Sequence, residues 1–164
     1  MSKKTIIATA FFDHPSIKGV IDLYEDLQND QVIIRGRLKS DIFTNSYHGF
    51  HVHEAGDLSD SCMGACAHFN PHNKNHGGPN SRTRHVGDLG NIYFDKRGIA
   101  NVNMKDAFVK LRGTKSNVVG RSLIIHEDPD DLGLGGHNDS LTTGHAGGRV
   151  TCAVIGYSKK MFKK

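Results

Sequence analysis

The sequence predicts an all-β domain, an antiparallel sandwich or barrel with two long loops that carry its chemistry. Three observations support this prediction. Short apolar or alternating segments recur along the chain, turn-forming residues separate several of them, and two long stretches rich in Gly, Asn, Asp and His break the pattern. Many short strands with turns at such spacing are typical of antiparallel sheets.

Length and composition favour one water-soluble domain. The chain has 164 residues, 37% of them hydrophobic, and a formal charge of +4. It contains no apolar segment close to the roughly 18 residues that cross a bilayer, and its N-terminus lacks a clear secretion signal. We therefore predict a cytoplasmic protein with neither nucleic acid nor membrane as partner. The exception to an even spread of charge is a C-terminal tail with four lysines, which favours solubility or holds the protein near anionic surfaces.

Nine segments have the pattern of strands, and none is a convincing helix. The segment Gln31–Leu38 shows the period of two most clearly, because Val32 and Ile34 share one face while Arg35 and Arg37 share the other. The nine segments are Thr5–Phe12, Gly19–Tyr24, Gln31–Leu38, His48–His53, Gly90–Phe94, Ile99–Met104, Ala107–Leu111, Val118–His126 and Arg149–Tyr157.

Two short turns and two long stretches separate these segments. Residues 28–30 and 95–98 are predicted to be hairpin turns. The stretches at about 54–89 and 127–148 are too long to be turns, and loops of that length in a compact domain are usually functional or disordered. We interpret both as functional loops on a β scaffold.

The histidines point to metal. The chain has eleven, and seven of them lie between positions 48 and 85. His51 and His53 alternate with Val52 in a strand-like segment, so both imidazoles project from one face, about 7 Å apart. In isolation such a pair is more often structural than metal-binding.

A second histidine group lies in the first long loop. His68, His76, His85 and Asp88 form a complete four-ligand set for zinc, although a solvated polar loop is the alternative. His126 alone would be a core or edge histidine, but together with the His51 and His53 pair it would make three imidazoles suited to copper.

A zinc finger built on Cys62, Cys66, His68 and His72 is excluded by spacing. One residue separates the cysteine pair from the histidine pair, where a finger needs roughly a dozen.

Five strings resemble the copper/zinc superoxide dismutases, in order and over about residues 5–157: GFHVHEAGD (49–57), HFNPHNKNHGGP (68–79), RHVGDLGN (84–91), GRSLIIHEDPDDLG (120–133) and GHAGGRVTCAVIG (144–156). The resemblance implies an eight-stranded antiparallel Greek-key β-barrel or sandwich, immunoglobulin-like, with two long functional loops. Residues 1–157 would form the enzyme domain and residues 158–164 a basic tail.

The resemblance also implies two metal ions and a reaction. Copper would be bound by His51, His53, His68 and His126, and zinc by His68, His76, His85 and Asp88. Superoxide would be converted to dioxygen and hydrogen peroxide as copper is reduced and reoxidised. The shared His68 would take up a proton and give it to the product.

Further roles follow from the same resemblance. Asp130 would hydrogen-bond one copper histidine and one zinc histidine, and Arg149 would attract and orient the substrate anion. A disulfide would join Cys62 to Cys152, with pairing of Cys66 to Cys152 as the alternative. His48 would be structural and outside the site.

This sequence departs from the family pattern at the channel and at the subunit contact. Thr142 stands where a lysine is expected, so steering of superoxide should be weaker. Ala55 and Tyr157 stand where larger apolar or aliphatic residues are usual, although a homodimer is still expected. A copper chaperone is a further candidate partner.

Two other functions compete with the enzyme. The first is a non-enzymatic copper/zinc-binding or copper-delivery module of the same fold, but such a module typically lacks part of the copper set or Arg149. The second is a zinc-only structural protein, which would leave the strand imidazoles without a role.

Overall fold

The computed structural model describes residues 5–162 and shows eight antiparallel strands. The strands are β1 (Ile7–Asp13), β2 (Ile17–Asp26), β3 (Gln31–Ser40), β4 (Ser46–His53), β5 (Asp88–Phe94), β6 (Ile99–Asp106), β7 (Ser122–His126) and β8 (Arg149–Tyr157). One short helix, α1 (Ser140–Thr143), and two 3₁₀ turns, Met63–Ala65 and Lys159–Phe162, complete the described elements. Within residues 5–162 no helix is long and apolar enough to cross a membrane.

The strands form a nearly closed barrel. Their order is β5-β4-β7-β8-β1-β2-β3-β6, and the two edge strands β5 and β6 pack beside each other. β4 pairs with β5, β5 packs beside β6, and β6 pairs with β3, so the spatial order β4-β5-β6-β3 is the Greek-key arrangement. The predicted eight-stranded all-β fold is therefore confirmed.

The barrel interior is the hydrophobic core. In β3 the predicted alternation holds, with Val32, Ile34 and Leu38 buried and Arg35 and Arg37 exposed. The largest fully buried side chains of the core come from several strands and loops, and include Phe12, Phe50, Phe94, Ile21, Leu23, Leu111 and Leu123.

One predicted strand is wrong. Residues 107–111 form a loop, because the Oδ1 of Asp106 accepts hydrogen bonds from the backbone N–H groups of Phe108 and Val109, both at 2.8 Å, and so turns the chain. Val109 and Leu111 are nevertheless fully buried, so the apolar pattern reported burial rather than a strand.

The predicted strand 118–126 is also shorter than expected, because Gly120 turns the chain with a φ of +88° and β7 begins at Ser122.

Both predicted functional loops are present. Residues 54–87 contain only a short 3₁₀ turn, and residues 127–148 contain only α1. The two loops cover the outer face of β4, which is why all residues of 48–53 are buried.

Candidate metal centre

β4 and β7 supply three histidines from neighbouring, hydrogen-bonded strands. His51 and His53 pair with Ile124 and Ser122 of β7, and His126 is the last residue of β7. Phe50 and Val52 point into the core between them. The imidazoles therefore share the outer face, where the loops bury them to at most 4% exposure.

The first group of candidate ligands adds His68 from the long loop to these three histidines. One ligand atom from each of the four lies within 4.8 Å of the others. The Nε2 atoms of His53 and His126 are 3.3 Å apart. The backbone of His68 also forms an isolated antiparallel bridge with His53, which brings the loop against β4.

The second group surrounds the carboxylate of Asp88. Its Oδ1 lies 2.9 Å from Nδ1 of His68, 3.0 Å from Nδ1 of His76 and 3.1 Å from Nδ1 of His85. A tetrahedral zinc ion with bonds of 2.0–2.1 Å needs ligand atoms about 3.3 Å apart. The four buried donors are thus spaced close to what such an ion requires.

Asp130 connects the two groups. Its Oδ2 lies 2.8 Å from Nε2 of His51, and its Oδ1 lies 2.8 Å from Nε2 of His76. Asn91 fixes this loop, because its side chain donates to the Asp130 carbonyl at 2.9 Å and accepts from the Asp130 N–H at 2.7 Å. Gly144 leaves room, since a Cβ there would lie 2.1 Å from the carboxylate.

Burial and charge set the protonation of these groups. Burial, followed by the neighbouring imidazoles, lowers the pKa of His68 to about 3, and burial is also the main cause of the lowered pKa of His53 and of His126. For His76, burial opposes protonation, but the hydrogen bond to Asp130 and the charge of Asp88 outweigh it and raise the pKa to about 9.

The two carboxylates behave in the opposite way. Burial alone would raise the pKa of Asp88 and of Asp130, but hydrogen bonds from the histidines outweigh it, and both pKa values fall well below their usual range. Both groups are therefore anionic at neutral pH, as metal ligands and their hydrogen-bond partners should be.

Within residues 5–162, three buried nitrogens have no hydrogen-bond partner: Nδ1 of His51, Nε2 of His68, and Nδ1 of His76, which lies 3.0 Å from Asp88 Oδ1 without hydrogen-bond geometry. A buried polar atom left without a partner costs about 1–3 kcal/mol, so three in one cluster require an explanation. Metal ions bound at these atoms would provide it. The donor chemistry fits as well, since imidazole suits copper and zinc and the His₃Asp set suits zinc.

Arg149 and the disulfide lie at the border of the first group. Arg149 donates to the carbonyls of Cys62 and Cys66, and the Cys66 carbonyl also lies 2.9 Å from Nδ1 of His53. Cys62 is bonded to Cys152, with a Cα–Cα distance of 6.0 Å, and Cys66 is a free, exposed thiol. The structure therefore contains the Cys62–Cys152 pairing and not the alternative.

His48 and His72 belong to neither group. His48 is buried, lies 2.8 Å from the Ser46 hydroxyl and 3.0 Å from the His126 carbonyl, and stacks on Phe43. His72 is exposed. Thr142 borders a groove of about 250 Å³ whose lining includes His68 and Lys74.

Arg84 and Asp106 position the second group and were missed by the sequence reasoning. Arg84 is buried, pairs with Asp106 at 2.6 Å, and donates to the carbonyls of Pro79, His85 and Val86. Asn91 was missed likewise. A lone Arg or Asn has no pattern of its own, and adjacency to the predicted ligand His85 is a weak signal that exists for Arg84 alone.

The fold is a β-barrel with two adjacent groups of candidate metal ligands, and His68 belongs to both groups. The family model for copper/zinc superoxide dismutase (SODC) matches residues 17–155. A superoxide dismutase [Cu-Zn] of Paramecium bursaria Chlorella virus 1 is 50% identical over 159 residues, covering 97% of this chain and 82% of that protein. The chain belongs to the copper/zinc superoxide dismutase family.

Two further comparisons agree in fold and sequence. An extracellular superoxide dismutase [Cu-Zn] of Brugia pahangi is 44% identical over 157 residues, covering 94% of this chain and 76% of that protein. The crystal structure of the clock protein EA4 has a TM-score of 0.90 and 39% identity, and the match covers 96% of this chain and 98% of that one. The family consists of oxidoreductases that use copper and zinc, and this chain has His and Asp groups that could bind both.

Proposed function

We propose that this protein is a superoxide dismutase, which converts two superoxide anions and two protons to dioxygen and hydrogen peroxide. The observation that carries the proposal is the position of His68 between the two ligand groups. Its Nδ1 lies 2.9 Å from Asp88 Oδ1, and its buried Nε2 has no hydrogen-bond partner among residues 5–162.

We assign each group to a metal by its donors. His51, His53, His68 and His126 would hold copper, because four imidazoles suit a metal that changes oxidation state. His68, His76, His85 and Asp88 would hold zinc, because three imidazoles and a carboxylate form a closed tetrahedral set. Bound copper supplies one-electron redox chemistry, and bound zinc supplies fixed positive charge and order.

His68 is the catalytic proton carrier in this proposal. Its Nε2 faces the first group and can hold a proton destined for the peroxide product, while Asp88 keeps its Nδ1 turned towards the second group. In the metal-free protein the His68 imidazole is neutral at pH 7, because burial lowers its pKa to about 3.

Arg149 is the second catalytic residue, since it would contact the substrate. The carbonyls of Cys62 and Cys66 hold its guanidinium at the border of the first group, and the disulfide to Cys152 fixes this segment of the loop. A guanidinium attracts and orients a small oxyanion through charge-assisted hydrogen bonds.

Asp130 acts through the ligands. It keeps Nε2 of His51 and Nε2 of His76 engaged, so the Nδ1 atom of each ring stays free to face a metal. Variants of this residue should therefore affect both metal sites.

We further propose a cytoplasmic homodimer in which residues 1–157 form the enzyme domain and residues 158–164 a tail. An exposed apolar surface on β1 and β8 supports the dimer: Phe11 is 64% exposed, Val154 40% and Tyr157 54%. Gly56 borders this surface, since a Cβ there would lie 3.7 Å from Val154. A copper chaperone remains a candidate partner, and sedimentation equilibrium of the metal-loaded protein against Phe11→Glu tests the dimer.

The experiment that tests the function is superoxide dismutation by protein reconstituted with copper and zinc, with metal content measured in parallel. We expect about one copper and one zinc per chain and fast turnover, which His126→Ala abolishes with loss of copper. Thr114→Ala, an exposed change in the 107–121 connection, is the matched control and should keep both. Full metal content without turnover would instead indicate a metal-binding module without activity.

A further inference from the structure

The outer face of β2, β3 and β6 carries a cluster of cations away from the metal centre. We define the basic face as Lys18 of β2, Arg35, Arg37 and Lys39 of β3, and Lys105 of β6. All five side chains are exposed. None of these three strands contributes a residue to either ligand group.

The strand register places these cations side by side. Arg35, Arg37 and Lys39 alternate along β3 and so share one side, at intervals of about 7 Å. Lys39 lies opposite Lys18, and Ile33 opposite Lys105. The basic face therefore extends roughly 20 Å along the strands and 10 Å across three of them.

Much of this charge is uncompensated. Within residues 5–162, the side chains of Arg35, Arg37 and Lys105 form no hydrogen bond and no ion pair, while Lys18 and Lys39 have exposed acidic neighbours. Asp22 lies opposite Arg35 in register, but its carboxylate is engaged by Lys160, Thr9 and Tyr24. These three unpaired cations lie on one face of a chain whose total formal charge is +4, so much of the excess positive charge is concentrated there.

The C-terminal turn extends the basic face at its edge. Lys160 binds Asp22 and the Tyr24 hydroxyl, which anchors the turn Lys159–Phe162 beside β2. Lys159 is exposed and Phe162 is 70% exposed. In sequence, two more lysines follow directly.

We propose that the basic face docks on the surface of membranes that contain anionic phospholipids, with Phe162 entering the interfacial region. A broad array over three strands matches a charged surface, and guanidinium groups bind phosphate well. An exposed phenylalanine beside lysines is typical of interfacial anchoring. Membrane docking would run against the prediction from composition that no membrane is a partner.

The same features fit nucleic acid less well. Single-stranded nucleic acids are held by aromatic side chains that stack on bases. The aromatic residue of β2 is Tyr24, and the Lys160 ammonium lies over its ring. Readout of a duplex uses a helix or ribbon that enters a groove, whereas these cations lie on the side of a barrel.

Vesicle flotation with the full-length protein tests this inference without reference to activity. The probes are vesicles of phosphatidylcholine alone and vesicles in which the anionic lipid phosphatidylserine replaces roughly a third of the phosphatidylcholine. The face variant is Arg35→Gln/Arg37→Gln/Lys105→Gln. The matched control, Arg82→Gln/Lys96→Gln/Lys115→Gln, removes equal charge from exposed cations outside the face.

We expect binding only to the anionic vesicles, weakened by salt. The face variant should bind roughly a hundredfold more weakly, since each Lys or Arg at an anionic bilayer raises affinity about fivefold. The control variant should lose much less, and Phe162→Ser should weaken binding without changing its salt dependence. Absence of vesicle binding, or an equal loss in both triple variants, would overturn the proposal. So would tighter binding to duplex DNA or heparin that depends on the same three residues.

Discussion

Removal of the Arg84 side chain should destabilise the protein severely. The guanidinium is 1% exposed and makes an ion pair with Asp106 at 2.6 Å and hydrogen bonds to three backbone carbonyls at 3.0–3.1 Å. Arg84→Met keeps much of the volume but leaves the Asp106 carboxylate buried without its cation. Breaking such a buried pair costs about 3–5 kcal/mol.

Urea unfolding of the chelator-treated, disulfide-intact protein measures this loss without a contribution from metal. Asp106→Asn is the partner variant, because its Oδ1 can still accept from Phe108 and Val109. In the double variant no buried charge is left unpaired, so its loss should be at least about 1 kcal/mol smaller than the sum of the single losses. If Arg84→Met lowers the free energy of unfolding by less than about 1 kcal/mol, or if the two single losses are strictly additive, Arg84 and Asp106 do not form a stabilising buried pair.

Three other predictions concern the metal centre. Zinc binding at pH 7 should release about one proton from His76, whose pKa in the metal-free protein is raised to about 9, and should release none well above pH 9. Zinc titration in buffers of different ionisation enthalpy measures this release, and a buffer-independent heat at pH 7 would contradict it. Asp130→Leu should lower copper and zinc affinity about 10–100-fold in chelator competition, and unchanged affinity for both metals would contradict the bridging role. Thr142→Lys should raise kcat/KM several-fold at low salt and little at high salt, since the added cation borders the groove at His68; no rise at low salt would exclude a steering role for this position.

Much of the fold could be predicted because strands have a simple period. Val32, Ile34 and Leu38 of β3 are buried as its alternation predicts, the predicted turn at 28–30 joins the paired strands β2 and β3, and the predicted turn at 95–98 connects β5 to β6. The prediction failed at residues 107–111, where buried Val109 and Leu111 resemble a strand although Asp106 turns the backbone. An apolar pattern indicates which residues are buried. It does not indicate where a side-chain hydrogen bond ends a strand.

The candidate site was predictable to a different degree for each residue type. Most of the candidate metal ligands could be predicted because they are histidines, a residue type rare enough for its spacing along the chain to be informative. The pairing of Cys62 with Cys152, and the role of Asp130 among several acids of one loop, came from family resemblance and not from spacing. Arg84 and Asn91 could not be predicted, because their roles rest on backbone carbonyls and N–H groups that only the folded chain brings to them.

A crystal structure of the copper- and zinc-loaded protein, with anomalous scattering recorded at both metal edges, would locate each metal and identify its ligands. We expect copper among His51, His53, His68 and His126, and zinc among His68, His76, His85 and Asp88, with the ring of His68 between the two metals. A single metal position, or two positions that do not share His68, would contradict this expectation.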